Sequence, residues 1–239
     1  MKGNYYKAPK PNAVHSDVTH RAFPGPCTAE TVRCGSAKEF NTKTNGCCRS
    51  HIIKIVSVFA ELAEQEGIPW IIDYGTLLGY MVNRGIYWND KDADLSVLAT
   101  HREATLGLRE RLEQHGFYVT YAMPRDAQWT GGDRMKIRLS RINHTNCDIF
   151  FWEQRGDGIL FRNNYISVDK YKGREFPAAW FSPTKLDLWE GVPVRIPARA
   201  DLLVAHRYSR DWNRLEEVNP GKRRLNVEIP DGAWKRLEQ

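Results

Sequence analysis

A short apolar run that ends in a glycine turn and is followed by alternating acids most constrains how this chain can fold. Residues 68–73 are apolar and β-prone, which predicts a buried strand, and Gly75 then opens a second helical pattern. Further on, a second predicted strand over residues 93–98 begins within the run DKDADL. Side chains two positions apart in a strand point to the same face, so Asp92 and Asp94 predict neighbouring carboxylates at the start of that strand.

These paired acids favour a metal site. Two carboxylates on one face repel each other unless a cation lies between them, and hard oxygen ligands suit Mg²⁺ or Mn²⁺. Asp148 offers a third carboxylate because it opens an apolar strand pattern over residues 148–152. A single aspartate at a strand end commonly faces water, whereas three aspartates behind a glycine turn favour the metal. We therefore predict that Asp92, Asp94 and Asp148 hold Mg²⁺ or Mn²⁺, which holds phosphate oxygens.

The glycine turn is itself a candidate phosphate site. Gly75 allows the backbone to approach closely, the start of the helix offers free N–H groups, and Thr76 adds a hydroxyl donor. The alternative is that Gly75 only makes the turn while Thr76 caps the helix. Lys136 and Arg138 lie two apart on a predicted strand that we expect beside the carboxylates, where they would counter the charge of a pyrophosphate. Simple solvation of both side chains is the alternative there.

The remaining periodicity predicts an α/β (α+β) fold with a mixed sheet, because helices alternate with strands and an antiparallel pair comes late in the order. An amphipathic helix begins at Arg49 and ends at Gly67 and Pro69, a C-cap glycine followed by a helix breaker. Other predicted helices span residues 75–84, 101–115 and 200–208. Predicted strands span residues 117–122, 134–141 and 147–152, and a hairpin joins 186–189 to 192–196.

The formal net charge of +6 indicates a partner only if the basic residues are concentrated in one part of the chain. Residues 1–50 carry a net charge of +5, residues 51–198 carry −1 and residues 199–239 carry +2. The excess lies at the two ends, which does not support a basic groove in the body of the chain, and we expect no nucleic-acid partner. Contact of a basic tail with an anionic acceptor or a membrane surface stays open.

Hydropathy sets an expectation for location. No apolar run reaches the roughly 18–20 residues that cross a bilayer, and the N-terminal residues show no secretory signal. We therefore expect a cytoplasmic protein without a transmembrane segment, with association to a membrane surface left open. The Golgi lumen is the alternative if the chain is excised from a longer anchored protein.

Four of the five cysteines fall within 22 residues, in a segment rich in Pro, Gly, Thr and Asn. Zinc is the favoured account because Zn²⁺ binds four thiolates in a tetrahedron, and disulfides or free thiols are the alternative. Cys147 lies in an apolar strand pattern and is predicted to be an inert buried thiol. The run Asn143-His144-Thr145 matches a glycosylation acceptor, for which chance occurrence is favoured. The predicted zinc ligands are Cys27, Cys34, Cys47 and Cys48.

Several of these motifs together resemble the LicD family. They are DYGTLLGYMVNRG, YWNDKDADL, the Lys/Arg strand followed by CDIFFW, and GVPVRIPARADLLVAHRYSRDW, and they cover about residues 47–212. The family includes bacterial phosphocholine transferases and the animal fukutin and fukutin-related ribitol-phosphate transferases, and the resemblance implies a nucleotidyltransferase-like mixed sheet. The cysteine segment is similar to the zinc-binding loop of fukutin-related protein. We expect an arm with a zinc-binding loop over 1–48, a catalytic domain over 49–212 and a basic tail over 213–239.

The resemblance also implies roles for individual residues. The three aspartates of the predicted metal site match the family's Mg²⁺ ligands, and Gly75 and Thr76 match its Gly-Ser/Thr turn. Asp90 matches the first acid of the family's acidic run and would be the base that takes the proton of the acceptor hydroxyl. Two departures are present: Asn89 follows the tryptophan where members usually carry an acid, and Lys91 lies inside the acidic run.

A cluster of carboxylates without a nucleophilic Ser or Cys is typical of sites that work by positioning and electrostatics. The resemblance implies Mg²⁺-dependent transfer of phosphocholine or a polyol phosphate, such as ribitol phosphate, from a CDP-linked donor to a hydroxyl of a glycan or glycolipid. One alternative is a nucleotidyltransferase that moves the nucleotide itself. The other is a non-enzymatic zinc module whose basic ends bind a partner. In either case the zinc is expected to be structural, because its four ligands leave no open position.

Overall fold

The computed structural model describes residues 28–31, 46–87, 90–122, 134–162, 175–208, 210 and 212–214. Within these ranges the chain forms a seven-stranded mixed sheet flanked by helices, together with a separate two-stranded hairpin. The predicted α/β class with a mixed sheet is therefore confirmed.

The bounds of the elements follow the predicted order. The described helices are α1 (Gly46–Gln65), α2 (Tyr74–Asn83), α3 (Arg102–Gly107), α4 (Arg109–Gln114), α5 (Ala178–Phe181) and α6 (Ala200–Tyr208), with short 3₁₀ turns at Ala99–His101 and Trp212–Arg214. The sheet strands are β1 (Trp70–Ile72), β2 (Ala93–Leu98), β3 (Tyr118–Ala122), β4 (Arg134–Arg138), β5 (Asn146–Gln154), β6 (Ile159–Phe161) and β7 (Phe176–Pro177). The hairpin consists of β8 (Lys185–Trp189) and β9 (Val192–Ile196).

The order of the strands places two strand starts side by side. The main path runs β1-β2-β5-β4-β3, with β6 paired to β5 and β7 paired to β6. β2 and β5 are parallel, and the other described pairs are antiparallel. In the parallel pair Asp94 lies opposite Asp148. The two strands therefore present their first acidic residues at one edge of the sheet.

Side-chain alternation divides the central strands into an apolar face and a polar face. Leu95, Ile137 and Ile149 lie on one face and are inaccessible to solvent. On β4 these buried positions alternate with Arg134, Lys136 and Arg138, which are half-buried. The polar face of β4 is therefore the face that meets the acidic strand starts of β2 and β5.

α1 packs its apolar face into the core. Ile52, Ile55, Val56 and Phe59 are fully buried, and Gly67, two residues after the helix ends, has a φ of +62° that suits a C-terminal cap. The helix begins at Gly46, earlier than the predicted start at Arg49, so its first turn contains the Cys-Cys pair. None of the helices in the described ranges has the length and apolarity needed to span a membrane.

The predicted helix over residues 101–115 is broken in two. Thr105 donates its hydroxyl hydrogen to the carbonyl of His101 at 2.8 Å, and Gly107 follows, which weakens the helix at this point. α3 ends at Gly107 and α4 begins at Arg109. The sequence pattern does not predict three short elements beyond residue 155, namely β6, β7 and α5, because two to four residues are too few to show a period.

Candidate metal centre

Three carboxylates converge where β2 and β5 begin. Asp94 and Asp148 are register partners in the parallel pair, and Asp92 lies just before β2. One carboxylate oxygen from each of the three residues lies within 4.8 Å of the others. Asp94 and Asp148 are 8% and 5% exposed, while Asp92 is half-buried. The structure thus brings together the three acids that the sequence selects as metal ligands.

The pKa of Asp148 reflects both its burial and the charged groups around it. Burial raises the pKa of the Asp148 carboxyl above its ordinary value, and the charge of Asp92 adds to that rise. Arg134 and Lys136 act in the opposite direction. The ammonium nitrogen of Lys136 lies 3.0 Å from both carboxylate oxygens of Asp148, and Arg134 Nη1 lies 3.7 Å from Oδ2.

The donor set fits a divalent cation. Its three members are hard oxygen ligands that carry like charges and are largely withdrawn from water, which is the chemistry that Mg²⁺ and Mn²⁺ prefer. Two neighbouring cationic side chains compensate only part of the negative charge. A divalent ion bound by Asp92, Asp94 and Asp148 would relieve the remaining repulsion.

The first turn of α2 is bonded directly to the backbone of Asp94. The N–H of Asp73 donates to the carbonyl of Asp94 at 2.9 Å, and the N–H of Asp94 donates to Oγ1 of Thr76 at 2.8 Å. Asp73 is the N-cap of α2, since its Oδ1 accepts from the N–H of Tyr74 at 2.7 Å. Gly75 and Thr76 therefore lie within the first helical turn, beside the metal-ligand strand.

This geometry corrects the alternative roles that the sequence suggests for Gly75 and Thr76. Thr76 does not cap the helix, because Asp73 does, and its hydroxyl oxygen instead binds the backbone of Asp94. Gly75 does not make the left-handed turn either. The residue with positive φ is Tyr74, at +42°, a conformation that is strained for an aromatic residue.

The other predicted site residues lie in different positions. Asp90 is 1% exposed, and its Oδ1 accepts from the N–H of Lys91 at 3.1 Å. The group of converging carboxylates found among the described residues does not include Asp90. Arg138 is half-buried at the end of β4, paired in register with Asn146. Lys136 faces the three converging carboxylates directly, through its contact with Asp148.

The predicted zinc ligands lie mostly beyond what the structure describes. Cys27 and Cys34 are outside the described residues, as is the side chain of Cys47, whereas Cys48 is buried in the first turn of α1. Cys147 is fully buried in β5, where burial and the nearby aspartates raise the pKa of its thiol well above the ordinary value. That environment agrees with the expected inert thiol.

The glycosylation acceptor sequence is buried in the fold. Asn143 and Thr145 are both inaccessible to solvent. The side-chain nitrogen of Asn143 donates to the carbonyl of Thr28 at 2.9 Å, and Ser140 Oγ donates to the carbonyl of Ala29. The folded chain therefore has no room for a glycan on Asn143, which agrees with a chance match.

A buried ion pair beside the centre leaves no sign in the sequence pattern. Arg207 Nη2 lies 2.8 Å from Oδ2 of Asp73, with side-chain exposures of 1% and 0%. Ser96 donates its hydroxyl hydrogen to the same oxygen at 2.6 Å and accepts from Nε1 of Trp152 at 2.9 Å. A single sequence could not reveal this network, because 134 positions separate Asp73 from Arg207.

Comparison with known proteins decides the family. The profile of the LicD/FKTN/FKRP nucleotidyltransferase domain matches residues 67–199, more than half of the chain. The chain belongs to the LicD family. The matched residues include the three converging aspartates, the first turn of α2 and β4, while the cysteine segment and α6 lie outside the match.

Two further comparisons of this LicD family member concern solved structures and curated protein sequences. A crystal structure of ANT(2")-Ia in complex with adenylyl-2"-tobramycin is similar at 13% sequence identity and a TM-score of 0.37. The similarity covers 72% of this chain and 79% of that one. A search of curated protein sequences finds no significant match.

Proposed function

We propose that this LicD family member transfers a phospho-substituent from a CDP-activated donor to a glycan hydroxyl. The transferred group would be phosphocholine or a polyol phosphate such as ribitol phosphate. The observation that carries the proposal is the convergence of Asp92, Asp94 and Asp148 within the family-matched segment. A cluster of oxygen ligands beside basic side chains is suited to the pyrophosphate of such a donor.

The metal would be Mg²⁺ or Mn²⁺ held by the three aspartates. When bound, such an ion supplies Lewis-acid stabilisation of charge that develops on phosphate oxygens. Lys136 and Arg134 orient the Asp148 carboxylate through their ion pairs with it. The amides of Gly75 and Thr76 lie in the first turn of α2, where N–H groups have no partner within the helix, and we assign them to the donor phosphates.

Lys136 and Arg138 supply positive charge on the polar face of β4. Lys136 reaches Asp148 with its ammonium group, and Arg138 lies two residues further along the same face. We assign both to the negative charge of the donor, so the strand that orients a metal ligand also attracts the substrate.

Asp90 is our candidate for the base that accepts the proton of the attacking hydroxyl. It lies two residues before Asp92, and its carboxylate is held by the N–H of Lys91. A base positioned beside the reacting hydroxyl contributes typically about 10²–10⁴-fold to rate. Asp90→Asn is therefore expected to lower kcat within that range while leaving Mn²⁺ binding intact.

The test is product analysis with CDP-choline, CDP-ribitol and CDP-glycerol in the presence of Mg²⁺. Thermal-shift screening with the same compounds first selects the donor. If no cytidine nucleotide raises the Tm, the proposal is contradicted. Released CMP together with a phospho-modified acceptor supports it. A nucleotide-tagged acceptor identifies the alternative, a nucleotidyltransferase.

Variants of the metal ligands provide the second arm. Asp92→Asn and Asp94→Asn are each expected to lower turnover by at least about 100-fold without loss of the fold. Asp157→Asn is the matched control, because Asp157 is an exposed aspartate in the turn between β5 and β6. The non-enzymatic zinc module is supported instead if the aspartate variants behave as wild type and zinc removal abolishes all function.

A further inference from the structure

The ion pair between Asp73 and Arg207 joins the last long helix to the edge of the metal centre. Both side chains are withdrawn from solvent, with exposures of 0% and 1%. Burial opposes the charge on Arg207, but Asp73 together with Tyr74 and Tyr208 raises the pKa of the guanidinium above its ordinary value. The two partners lie in the interior although 134 positions separate them in the sequence.

The guanidinium is also fixed by aromatic rings. Its central carbon lies 3.9 Å from the centroid of the Tyr74 ring, 5.1 Å from Trp152 and 5.5 Å from Phe176. A planar cation suits this position, whereas a lysine ammonium would keep the charge but lose the stacking. The orientation of Arg207 is therefore determined by its shape as well as by its charge.

Stability alone does not account for such a pair. The desolvation of two buried charges commonly cancels their attraction, and apolar replacements of buried ion pairs are often neutral or stabilising. What the pair does here is geometric. It holds Asp73, the N-cap of α2, in one orientation, and the strained Tyr74 directly follows that residue.

From Asp73 the connection to the metal centre is short. The backbone N–H of Asp73 donates to the carbonyl of Asp94 at 2.9 Å, while Thr76, in the same helical turn, accepts from the N–H of Asp94 at 2.8 Å. Ser96, two residues after Asp94 on β2, donates to the Asp73 carboxylate at 2.6 Å. The N–H and the carbonyl of Asp94, together with the side chain of Ser96, are thus hydrogen-bonded to the N-cap and the first turn of α2. Arg207 holds the cap residue of that turn, Asp73.

We propose that Arg207 is a positioning residue for the carboxylate centre, acting through Asp73 on the backbone of Asp94. Its catalytic consequence rests on the proposed function, but the geometric effect does not. Loss of the Arg207–Asp73 bond would free the cap of α2, loosen the two hydrogen bonds to Asp94 and misplace that carboxylate relative to its two neighbours.

The experiment compares full-length wild type with Arg207→Lys, Arg207→Met and Ser96→Ala. Leu203→Ala is the matched control, because Leu203 is a fully buried residue of the same helix, and its truncation weakens α6 packing while keeping both partners of the Arg207–Asp73 pair. Hydrogen exchange at the Asp94 amide is measured by NMR relative to the Ile149 amide in the central strand. Mn²⁺ affinity is measured in parallel by titration.

Loosening of Asp94 has a specific signature. In the Arg207 and Ser96 variants the exchange rate of the Asp94 amide rises at least about 10-fold relative to that of Ile149. Mn²⁺ affinity falls by about 10-fold or more, as expected when a group that orients a metal ligand is lost. In Leu203→Ala the two amides change together and Mn²⁺ affinity is retained.

Two other outcomes contradict either the inference or the metal-dependent function. If Asp94 and Ile149 lose protection together in Arg207→Lys and Ser96→Ala, the pair is only structural and the inference is overturned. If wild type binds no Mn²⁺ while the exchange ratio still changes, the positioning stands and the metal-dependent function fails. Arg207→Met adds a variant without charge, so that a folding defect of one substitution does not decide the outcome.

Discussion

At the scale of single residues, the buried carboxylate of Asp148 costs the fold stability. The pKa of its carboxyl is raised, so the stability contributed by this group is complete only when it is protonated and is lost as the pH rises through the folded-state value. We predict that Asp148→Asn is more thermostable than wild type in EDTA at neutral pH, and that the difference shrinks as the pH is lowered to where the Asp148 carboxyl takes up a proton.

Thermal unfolding with and without Mg²⁺ measures this prediction. Mg²⁺ should raise the Tm of wild type, because an ion that binds only the folded state stabilises it, and should leave Asp148→Asn nearly unchanged. Asp157→Asn serves as the exposed control, with a response to Mg²⁺ equal to that of wild type. An equal Mg²⁺ response in Asp148→Asn removes Asp148 from the ligand set.

Gly79 gives a second prediction at the residue scale. A Cβ at this position would lie 2.3 Å from the carbonyl oxygen of Gly85 and 2.4 Å from the amide nitrogen of Tyr87. Both are backbone atoms of the loop that leads to Asp90, whose N–H donates to the carbonyl of Tyr87 at 2.8 Å. Gly79→Ala is therefore expected to lower the free energy of unfolding by about 1–3 kcal/mol, from forced displacement of the loop.

Chemical denaturation of a matched pair of variants tests the effect of Gly79. Gly107, at the end of α3, provides the comparison, because a Cβ added there would meet no heavy atom within 4 Å beyond its chain neighbours and its own helix backbone. Gly107→Ala should be neutral or stabilising by up to about 1 kcal/mol, because alanine restricts the unfolded chain and favours the helix. Equal stability of the two variants contradicts a close packing requirement at Gly79.

At the scale of elements, the β8–β9 hairpin is held by contacts rather than by turn preference. Glu190 and Gly191 occupy the turn with φ of 50° and 79°, a geometry that favours Asn-Gly. The Glu190 carboxylate, however, pairs with the buried Arg49 and accepts from the N–H of Ile86 at 2.7 Å. We predict that Glu190→Asn lowers the free energy of unfolding by about 2 kcal/mol, because Arg49 loses its partner.

Urea denaturation of Glu190→Asn distinguishes the two effects. Asp157→Asn is the control, because the side chain of this aspartate is 59% exposed and surface ion pairs contribute little. A Glu190→Asn variant more stable than wild type would show that local backbone preference dominates the turn.

The elements also show what a single sequence can predict. Helices such as α1 and α6 are predictable within a few residues, because their apolar residues recur at helical spacing in the sequence. The break between α3 and α4 coincides with the side-chain bond of Thr105 and with Gly107, and the periodicity of the segment does not contain it. Glu190 shows the same limit, since a glutamate in a left-handed turn is explained only by its partners elsewhere in the fold.

At the scale of the whole molecule, the convergence of the three acids is predictable because they mark strand starts. Asp92 and Asp94 are two apart, and Asp148 opens the strand that becomes the parallel neighbour of β2. No local sequence pattern of this kind identifies Arg207. Its pairing with Asp73 arises only when α6 packs on α2, so the support of the centre depends on tertiary contacts that a pattern of residues does not contain.

The cysteine segment yields the last prediction, about the independence of two metal sites. Residues 28–31 follow Cys27 and are anchored on the turn before β5, where Asn143 donates to the carbonyl of Thr28. Cys48 is buried at the start of α1. We predict that the purified chain carries about one zinc ion, whose removal destabilises the fold, while the aspartate centre keeps its affinity for Mn²⁺.

Metal analysis of Cys34→Ser and Cys147→Ala tests this independence. Cys34→Ser should lose zinc and melt at a lower temperature, because one of four tetrahedral ligands is removed, whereas Cys147→Ala should keep its zinc, because Cys147 lies in β5 beside the aspartates. Mass spectrometry of the unreduced chain detects the alternative, disulfides without zinc. Retention of Mn²⁺ affinity in Cys34→Ser would show that the zinc is structural, since a metal that took part in the aspartate centre could not be removed without disturbing it.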